Sequence, residues 1–540
     1  MPVVNFDYYD LLYLLGREVE REELLKKIPM MGVCIERVEG DEISIEVFPN
    51  RPDLLSVEGM ARALRSFLGF EKGMKKYEMK PPSISLTVDK SVKDVRPFIA
   101  GAIVRNVEMN DETIASLMEV QEKLHFSIGK DRKKMAIGVH DFDKVEPPFI
   151  YKAVKPEEVR FVPLAKEEEM NLKEILEKHE KGIAYAHLLE NFPHYPLIVD
   201  KNDNVLSFPP VINGELTALN ENTRNIFIDV TGTDYNAVIS AINIISTSLA
   251  ERGGELEQVK IVDENVVATP ILSPSENEVN VDYVKKILKV EDVKEMVDAL
   301  EKMGHDATLE GDKIKVFSPA WRVDILHPID LVEDIAIGYG YEKFHEELPG
   351  EVTFGSSFSN LRVHHTMIGL GFNDVVTLSI SGPEKEFSRM ERVGKAAEIA
   401  NPISAEHSIV RQSLLPSLLE ILSKNRHNDL PQQIYEMGDV IIMNKKANQV
   451  TMLGGVKIDS KANFTECKSI VEAILKNLGY KMDVEERNDN AFIEGRCASV
   501  IVNGKEVGYF GEIKPAVIVN FGLEYPVIAF EINLSSLFSE

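Results

Sequence analysis

The chain has 540 residues, of which 44% are hydrophobic, and its formal net charge is −27 at pH 7. At about 150 residues per domain this length predicts several folded domains, roughly three or four, and the composition excludes a disordered or fibrous protein. The acidic balance argues against a protein that holds RNA alone through its phosphates. A local basic face or a partner chain could still supply such contacts.

Cysteine usage and hydropathy exclude two further classes. The three cysteines, Cys34, Cys467 and Cys497, lie far apart without a CxxC pair. A disulfide framework or a cysteine zinc site is therefore not expected. The N-terminus lacks a basic stretch followed by an apolar one, and no segment is apolar over about 18 residues. We therefore expect a cytoplasmic protein that makes no membrane contact.

The first region, residues 1–75, combines short helical patterns with one alternating segment. Ile43 and Ile45 alternate with Ser44 and Glu46, and a period of two predicts a half-buried strand. The pattern is typical of a small α/β module. The helices predicted in this region are Asp7–Leu15, Arg21–Lys27 and Leu54–Leu68.

Three further regions follow without an internal repeat. Residues 85–265 alternate β-rich runs with helices, which we predict at Asp111–Leu124 and Asp234–Arg252. Residues 268–345 form a compact unit, for which we predict a helix over Asp292–Met303 and a hairpin over Thr308–Val316. Residues 350–540 have the pattern of a mixed α/β region.

A group of carboxylates marks the end of the third region. Pro328 suits the first turn of a helix, and the spacings of Asp330, Glu333 and Asp334 predict that their carboxylates share one helix face. Asp324, just upstream, could fold back onto that face. Four oxygen donors without His or Cys fit Mg²⁺ better than Zn²⁺. The same residues could instead complement the helix dipole, and spacing alone leaves both interpretations open.

Three segments together resemble the beta chain of phenylalanine–tRNA ligases. They are FPNRPDLLSVEGMARA at Phe48–Ala63, RVDI through DLVEDI to YGY at Arg322–Tyr341, and NPIS through RQSLLP at Asn401–Pro416. Their order and spacing agree with that family over essentially the whole chain. The segment KDRKKMAIGVHD at Lys130–Asp141 is similar to the archaeal and eukaryotic branch. The chain also resembles that branch in lacking two bacterial additions, an OB-type tRNA-binding insert and a C-terminal anticodon-binding domain.

The resemblance implies an α+β multidomain fold. In that family the small module carries Mg²⁺ at an interface shared with the alpha chain. The implied ligands here are Asp324, Asp330, Glu333 and Asp334. The implied domains are an N-terminal α/β module (1–75), an editing domain (85–265), a small winged-helix-like metal-carrying module (268–345), and a C-terminal degenerate class II ligase-like antiparallel sheet with helices (350–540).

The C-terminal region lacks the residues of a working class II ligase site. Such a site needs one Arg for the ATP α-phosphate and a second for the γ-phosphate. Arg411 is followed by Gln-Ser-Leu-Leu-Pro without an acidic companion, and no Arg lies between Gly511 and Glu531. A Walker loop and a class I HIGH-type motif are also missing. We therefore expect a non-catalytic copy that packs against an alpha chain carrying the synthetic site.

A second, hydrolytic site is a physical expectation for this family. Tyrosine adds one hydroxyl to phenylalanine, and a pocket built for phenylalanine rejects that hydroxyl only weakly. The resemblance assigns proofreading to residues 85–265. Because no Ser-His-Asp set is recognisable, hydrolysis would use a placed water and the tRNA's own ribose hydroxyl. Pocket candidates are Leu206 and Pro209 to frame the ring, and Ser207, Asn213, Asp229, Thr231 and Asp234 as donors and acceptors.

Alternatives remain at two of these places. The polar candidates could instead serve in turns and caps, and Asp234 could simply cap the following helix. The basic run Lys130–Lys134 could touch the tRNA acceptor arm or form a solvated loop.

Two functions fit the sequence. The first is a subunit that joins alpha chains, as two alpha and two beta, for ATP-dependent attachment of phenylalanine to tRNA(Phe), and that hydrolyses mischarged Tyr-tRNA(Phe). The second is a stand-alone tRNA-binding or trans-editing protein on the same scaffold. The carboxylate cluster and the full ligase-like region favour the first, because a stand-alone editor needs neither.

Overall fold

The protein is described by a computed structural model that covers residues 2–348, 350, 355, 361–443 and 446–538. The chain divides into two compact units, Met1–Leu348 and Pro349–Glu540, called the first and second units below. Both are built from helices and sheets, which confirms the coarse prediction of a mixed α/β multidomain fold. Among the described residues, no helix is both long and apolar enough to cross a bilayer.

The first unit begins with a three-stranded antiparallel sheet in the order β1-β3-β2. The predicted helices of this region are confirmed, except that the third begins later, because Ser56 caps it by accepting the Gly59 N–H. The elements are β1 (Val3–Asp7), α1 (Tyr8–Leu15), α2 (Arg21–Lys27), β2 (Cys34–Glu39), β3 (Glu42–Glu46) and α3 (Val57–Phe67).

The prediction that β3 is half-buried is wrong at Ser44. The strand lies between β1 and β2, and Ser44 is buried like its neighbours Ile43 and Ile45. The Ser44 hydroxyl is 2.9 Å from Asn5 Oδ1, to which it donates a hydrogen bond. A serine satisfied in this way can occupy a buried face, so the alternation of residue types overstated the exposure.

A ten-stranded sheet follows, in the order β12-β11-β10-β7-β4-β14-β5-β13-β6, with β15 paired to β14. β8 (Arg160–Phe161) and β9 (Met170–Asn171) pair separately. The sheet strands are β4 (Met79–Val88), β5 (Phe98–Arg105), β6 (Met135–Asp141), β7 (Phe149–Val154), β10 (Tyr195–Val199), β11 (Val205–Phe208), β12 (Ile212–Asn213), β13 (Ile226–Gly232), β14 (Glu255–Val262) and β15 (Val266–Thr269).

The helices of this region lie against the sheet. α4 (Asp111–Phe126) and α7 (Tyr235–Glu251) confirm the two predicted helices within two residues, and their apolar side chains share a core with β5, β6 and β13. Two shorter helices, α5 (Leu172–Lys178) and α6 (Glu180–Tyr185), pack near the other end of the sheet. The long amphipathic helices therefore fix the position of β6 and β13.

The two ends of the sheet approach each other. β12 and β6 stand last in the strand order, yet Asn213 Nδ2 on β12 donates to the Val139 carbonyl on β6 over 3.2 Å. The sheet is therefore nearly closed, and the seam between β6 and β12 leaves an opening bounded by the start of α4.

A third, antiparallel sheet of order β16-β18-β17 completes the first unit. The predicted hairpin is confirmed as β17 and β18, and Asp292 caps the predicted helix α9. Pro328 occupies the first turn of α10, as predicted. The elements are β16 (Ser275–Asn280), α8 (Val281–Leu288), α9 (Val293–Lys302), β17 (Asp306–Glu310), β18 (Lys313–Ser318) and α10 (Pro328–Tyr339).

The second unit is built on a seven-stranded sheet in the order β19-β22-β23-β27-β26-β25-β24, antiparallel except for the β19–β22 pair. A short pair, β20 and β21, stands apart. The strands are β19 (Asn373–Asp374), β20 (Ile380–Ser381), β21 (Ile409–Val410), β22 (Gln432–Met443), β23 (Ala447–Ile458), β24 (Asp483–Glu486), β25 (Phe492–Val502), β26 (Lys505–Ile513) and β27 (Val527–Asn533).

Helices cover both faces of this sheet. Neighbouring strand residues point to opposite cores, as Tyr435 and Ile434 do on β22. The α11, α13 and α15 side chains join one core, and those of α12 and α14 join the other. These helices are α11 (Leu361–Gly369), α12 (Leu415–Lys424), α13 (Phe464–Leu478), α14 (Pro515–Asn520) and α15 (Leu534–Phe538).

Candidate functional site

A cavity of about 340 Å³ opens at the seam between β6 and β12. Its volume is near the lower end of the range of about 300–1,000 Å³ that small-molecule sites occupy. Ile114 and Met118 of α4 form an apolar wall, and the segment before β12 forms another. The polar lining residues are Gln121, Glu122, Arg132, Lys181, Ser207, Asn213, Thr217 and Asp229.

Four of the seven predicted pocket residues line this cavity: Ser207, Pro209, Asn213 and Asp229. Asp229 and Ser207 are almost completely buried. The Ser207 hydroxyl has no hydrogen-bond partner among the described residues. An unpaired buried hydroxyl costs about 1–3 kcal/mol, so a ligand that bonds to Ser207 would recover that free energy.

The other three predicted residues lie outside the lining. Leu206 precedes Ser207 on β11 and points to the opposite side, into the hydrophobic core. The Thr231 hydroxyl accepts a hydrogen bond from Arg96 Nε over 3.0 Å. Asp234 caps α7 and pairs with Lys134 over 2.6 Å, so the capping interpretation of this residue is the one that the structure shows.

His140 is a site residue that was not predicted from the sequence. Its ring is fully buried on β6, with Nε2 2.7 Å from Asp229 Oδ2 and Nδ1 2.8 Å from Thr217 Oγ1. The segment around His140 was noticed only as a family resemblance, since a lone histidine in an apolar strand resembles core. The contact depends on the pairing of β6 with β13, which lies some 90 residues away in sequence.

Arg132 forms part of the cavity wall. Three successive residues, Lys130, Asp131 and Arg132, have positive φ angles of 45°, 56° and 63°, a left-handed backbone that non-glycine residues rarely adopt. This turn directs the Arg132 guanidinium inward, where it donates to the carbonyls of Pro210 and Val211 over 3.1 and 3.0 Å. The basic run is therefore a shaped turn rather than a uniformly solvated loop.

The charge of Arg132 is balanced by Glu122. The two side chains form an ion pair at 2.7 Å. His125, 3.9 Å from the Glu122 carboxylate, lowers the pKa of Glu122 together with Arg132 and Lys181, to about 2. Burial lowers the pKa of His125 itself to about 4, so its neutral Nε2 accepts the Ile137 N–H over 2.8 Å. The cavity wall therefore carries an ionised carboxylate at neutral pH.

Two of the four carboxylates predicted to bind Mg²⁺, Asp324 and Asp334, contact Arg322. Its guanidinium donates two hydrogen bonds to Asp324, over 2.9 and 2.7 Å, and one to Asp334 over 2.7 Å. His305, a second residue that was not predicted from the sequence, lies 2.6 Å from Asp334. Burial alone would raise the pKa of Asp334, but Arg322 and His305 lower it below its usual range.

The predicted shared face of α10 is therefore wrong. Asp334 is buried against Arg322, whereas Glu333 is exposed. Asp330 turns back to accept the N–H groups of Leu326 and His327, over 2.8 and 2.7 Å, as a helix cap. Asp330 therefore serves the N-terminus of the helix, which was the alternative to a metal-binding role.

This arrangement does not fit a shared Mg²⁺. Across the described ranges, no group of three or more His, Cys, Asp or Glu side chains is placed to hold a metal ion. The physical reason is that Arg322 already supplies the positive charge that Asp324 and Asp334 need. To bind here, a cation would have to displace the buried Arg322 guanidinium, which is hydrogen-bonded to both carboxylates.

In the second unit, Arg411 is occupied by an internal ion pair. Its guanidinium lies 2.8 Å from the Glu436 carboxylate, and both side chains are buried. It also donates to the Thr377 hydroxyl over 2.7 Å and to the Asp439 carbonyl over 2.9 Å. A guanidinium with these partners is not available to bind a phosphate.

Three family models match successive parts of the chain. They are the B3/4 domain at residues 88–268, the tRNA synthetase B5 domain at 277–341, and the phenylalanyl tRNA synthetase beta chain CLM domain at 355–534. The cavity lies in the part matched by the first, and the Arg322 cluster lies in the part matched by the second.

Curated relatives cover the whole chain. The phenylalanine–tRNA ligase beta subunit of Archaeoglobus fulgidus is 46% identical, over 100% of this chain and 99% of the relative. That of Methanosarcina barkeri is 45% identical, over 100% of both chains. Among solved structures, an N-terminal fragment of the phenylalanyl-tRNA synthetase beta-subunit from Pyrococcus horikoshii is 39% identical, with a TM-score of 0.61, over 63% of this chain and 99% of the fragment. The chain therefore belongs to the phenylalanine–tRNA ligase beta-subunit family, whose members are subunits of an aminoacyl-tRNA synthetase.

Proposed function

We propose that this chain assembles with phenylalanine–tRNA ligase alpha chains, as two alpha and two beta, and that its cavity hydrolyses tyrosine mischarged onto tRNA(Phe). The observation that carries the proofreading proposal is the buried Asp229 carboxylate in a cavity with apolar walls. Such a cavity can hold an aromatic ring, and its buried acceptor can recognise a hydroxyl on that ring.

The proposed discrimination depends on what phenylalanine lacks. The phenolic hydroxyl of tyrosine would donate to Asp229, and its oxygen would accept from the Ser207 hydroxyl. Phenylalanine in the same cavity would leave both buried polar groups unpaired. A site built to bond a hydroxyl rejects the analogue without it strongly, so correctly charged Phe-tRNA would be spared.

The proposed hydrolysis uses groups of the substrate and solvent. Water adds to the ester carbonyl carbon, the bond from that carbon to the ribose oxygen breaks, and tyrosine and tRNA separate. Ser207 is a poor nucleophile here, because no base among the described residues is hydrogen-bonded to its hydroxyl. The chain's contribution is to bind and orient the tyrosyl group, while a water or the terminal ribose hydroxyl completes the chemistry.

The synthetic site belongs, in this proposal, to the alpha chain. The second unit matches the CLM domain of the family, yet its Arg411 is held by Glu436. We therefore expect the second unit to dock on alpha rather than to activate phenylalanine. This also favours a subunit over a stand-alone editing protein, because a stand-alone editor has no use for the second unit. Mg²⁺ would enter with ATP, whose phosphates it binds, and not at the Arg322 cluster.

The test is the release of tyrosine from preformed Tyr-tRNA(Phe) by the assembled enzyme. Removing a hydrogen bond to a buried charged group costs about 1.5–3 kcal/mol, so Asp229→Asn should slow release about 10- to 150-fold. Phenylalanine charging should stay unchanged. Asp203→Asn, at an exposed turn of the same region, is the matched control. If Asp229→Asn releases tyrosine at the wild-type rate, the cavity is not the site of the proofreading reaction.

A further inference from the structure

We infer that His140 is a positioning residue of the cavity. One ring nitrogen contacts Thr217 and the other donates to Asp229, and so His140 fixes the Asp229 carboxylate in the orientation that accepts the tyrosine hydroxyl. This inference rests on the proposed proofreading function and deepens it, because Asp229 would recognise tyrosine only while His140 holds it.

The pairing of β6 with β13 brings the two side chains together. Gly138 stands opposite Asp229 and His140 opposite Phe227, so His140 and Asp229 meet diagonally on one face. A Cβ at position 138 would lie 2.1 Å from Asp229 Oδ2 and 2.8 Å from His140 Nε2. Glycine is therefore the residue that leaves room for the contact.

The hydrogen-bond partners place a proton on Nε2. A carboxylate oxygen accepts hydrogen bonds, so Nε2, at 2.7 Å from Asp229 Oδ2, is the donor of this contact. Nδ1 lies 2.8 Å from the Thr217 hydroxyl, which also lies 3.2 Å from the Gly214 carbonyl. The ring is therefore held at both nitrogens.

Two further groups act electrostatically on Asp229, Arg96 and Tyr151. The His140 ring stacks on Phe227, with ring centroids 5.9 Å apart and ring planes 27° apart. The orientation of the imidazole is therefore set by Phe227 as well as by the contacts of its two nitrogens.

One consequence follows for recognition. With Oδ2 held by His140, the second oxygen, Oδ1, has no hydrogen-bond partner among the described residues and is left for a ligand. Without the His140 contact, the Asp229 carboxylate would be free to rotate, and the acceptor would lose its fixed direction.

The first test reads the protons directly in the ligand-free protein. The complete chain is labelled with ¹⁵N in histidine, and the His140 ring signals are assigned by their loss in His140→Gln. We expect Nε2 to carry a proton, because it donates to Asp229. A His140 ring that carries its proton on Nδ1 alone would overturn the inference. This result does not depend on any editing activity.

The second test reads discrimination in the assembled enzyme. His140→Gln should slow release from Tyr-tRNA(Phe) about tenfold while the slow release from Phe-tRNA(Phe) stays unchanged. Thr217→Val, which removes the Nδ1 partner together with the hydrogen bond to the Gly214 carbonyl, should give a smaller loss in the same direction. His187→Gln, an exposed histidine of the same region, is the control.

The two tests separate the inference from the proposed function. A wild-type enzyme that releases no tyrosine contradicts the proofreading proposal, and the inference with it, even where the nitrogen signals are as expected. Release by wild-type together with unchanged Tyr/Phe discrimination in folded His140→Gln and Thr217→Val overturns the inference alone. Equal slowing on both substrates would mean a structural role for His140 and also contradicts it.

Discussion

At Gly138 the absence of a side chain decides the chemistry of the cavity. The diagonal contact between His140 and Asp229 crosses the space that a Cβ would fill, 2.1 Å from the carboxylate oxygen. This residue touches no proposed ligand by a side chain, yet it allows the acceptor and its imidazole partner to meet. Its importance comes from geometry between two strands rather than from chemistry of its own.

Gly138→Ala should therefore separate Asp229 from His140. We expect the free energy of unfolding to fall by about 1–3 kcal/mol, as for other overpacked sites, and release from Tyr-tRNA(Phe) to slow more than this loss of stability explains. Gly129→Ala is not a suitable control, because its Cβ would lie 2.4 Å from a backbone oxygen. Gly253→Ala is the control for a destabilising glycine replacement away from the cavity, because it strains a backbone of positive φ without meeting another atom. A Gly138→Ala enzyme with wild-type release would show that the contact is dispensable.

Asp334 and Glu333 are neighbours in sequence with opposite surroundings. Removing one partner of a buried ion pair costs about 3–5 kcal/mol, so Asp334→Asn should lower the unfolding midpoint of the first unit clearly. Asp324 still balances Arg322, which puts the expected loss at the lower end of that range. Glu333→Gln, on the exposed side of α10, should leave the midpoint unchanged.

Chelation of divalent ions gives an independent check on the same cluster. Because Arg322 supplies the positive charge, EDTA should not lower the unfolding midpoint of this chain. A midpoint that falls with EDTA and recovers with Mg²⁺ would contradict the Arg322 arrangement and restore the four-carboxylate interpretation.

At the residue scale, the sequence could show which residue types lay near the site but not which would meet. Ser207, Pro209, Asn213 and Asp229 were found, because the family resemblance pointed to the two segments that contain them. His140 was not, because its role depends on a strand pairing between distant segments. The role of Arg322 was overlooked for a related reason. A group of carboxylates suggests a metal site until the fold shows that an arginine lies between two of them.

At the element scale, the link between α4 and β6 carries a pH dependence. His125 on α4 accepts the Ile137 N–H of β6 as a neutral imidazole, and burial lowers its pKa to about 4. The unfolded chain, with an imidazole pKa of about 6.5, binds this proton more readily than the folded one. The stabilising contribution is therefore complete above about pH 6.5 and is lost as the pH falls toward 4.

Stability measurements on His125→Gln would show this dependence. Between pH 6.5 and 4.5, the free energy of unfolding of the wild-type first unit should fall by about 2 kcal/mol more than that of the glutamine variant. The reason is that glutamine can accept the same N–H without titrating. Thermal unfolding at the two pH values is the measurement. Equal losses in both proteins would mean that His125 does not set this dependence.

Elements with a strong local signal were predicted well. Helices α1, α9 and α10 begin at caps or prolines that the sequence displays. The third helix was predicted to start at Leu54, because the apolar pattern hid the cap at Ser56. Burial was harder to predict than periodicity, as Ser44 shows, because a polar side chain with an internal partner leaves no trace in the pattern.

At the scale of the whole molecule, the composition and the motifs answer different questions. The charge and hydropathy pointed to a large multidomain protein and no further, whereas the resemblance over the full length carried the family. Neither could supply the near-closure of the ten-stranded sheet, which brings the ends of the strand order together and creates the cavity.

The most direct test of the account is phenylalanine charging of tRNA(Phe) by a candidate alpha chain, measured with and without this protein. We predict that charging appears only when both chains are present, that the two copurify, and that this chain alone forms no phenylalanyl adenylate, because Arg411 is held by Glu436. Adenylate formation by this chain alone, or full charging by alpha alone, would contradict the account.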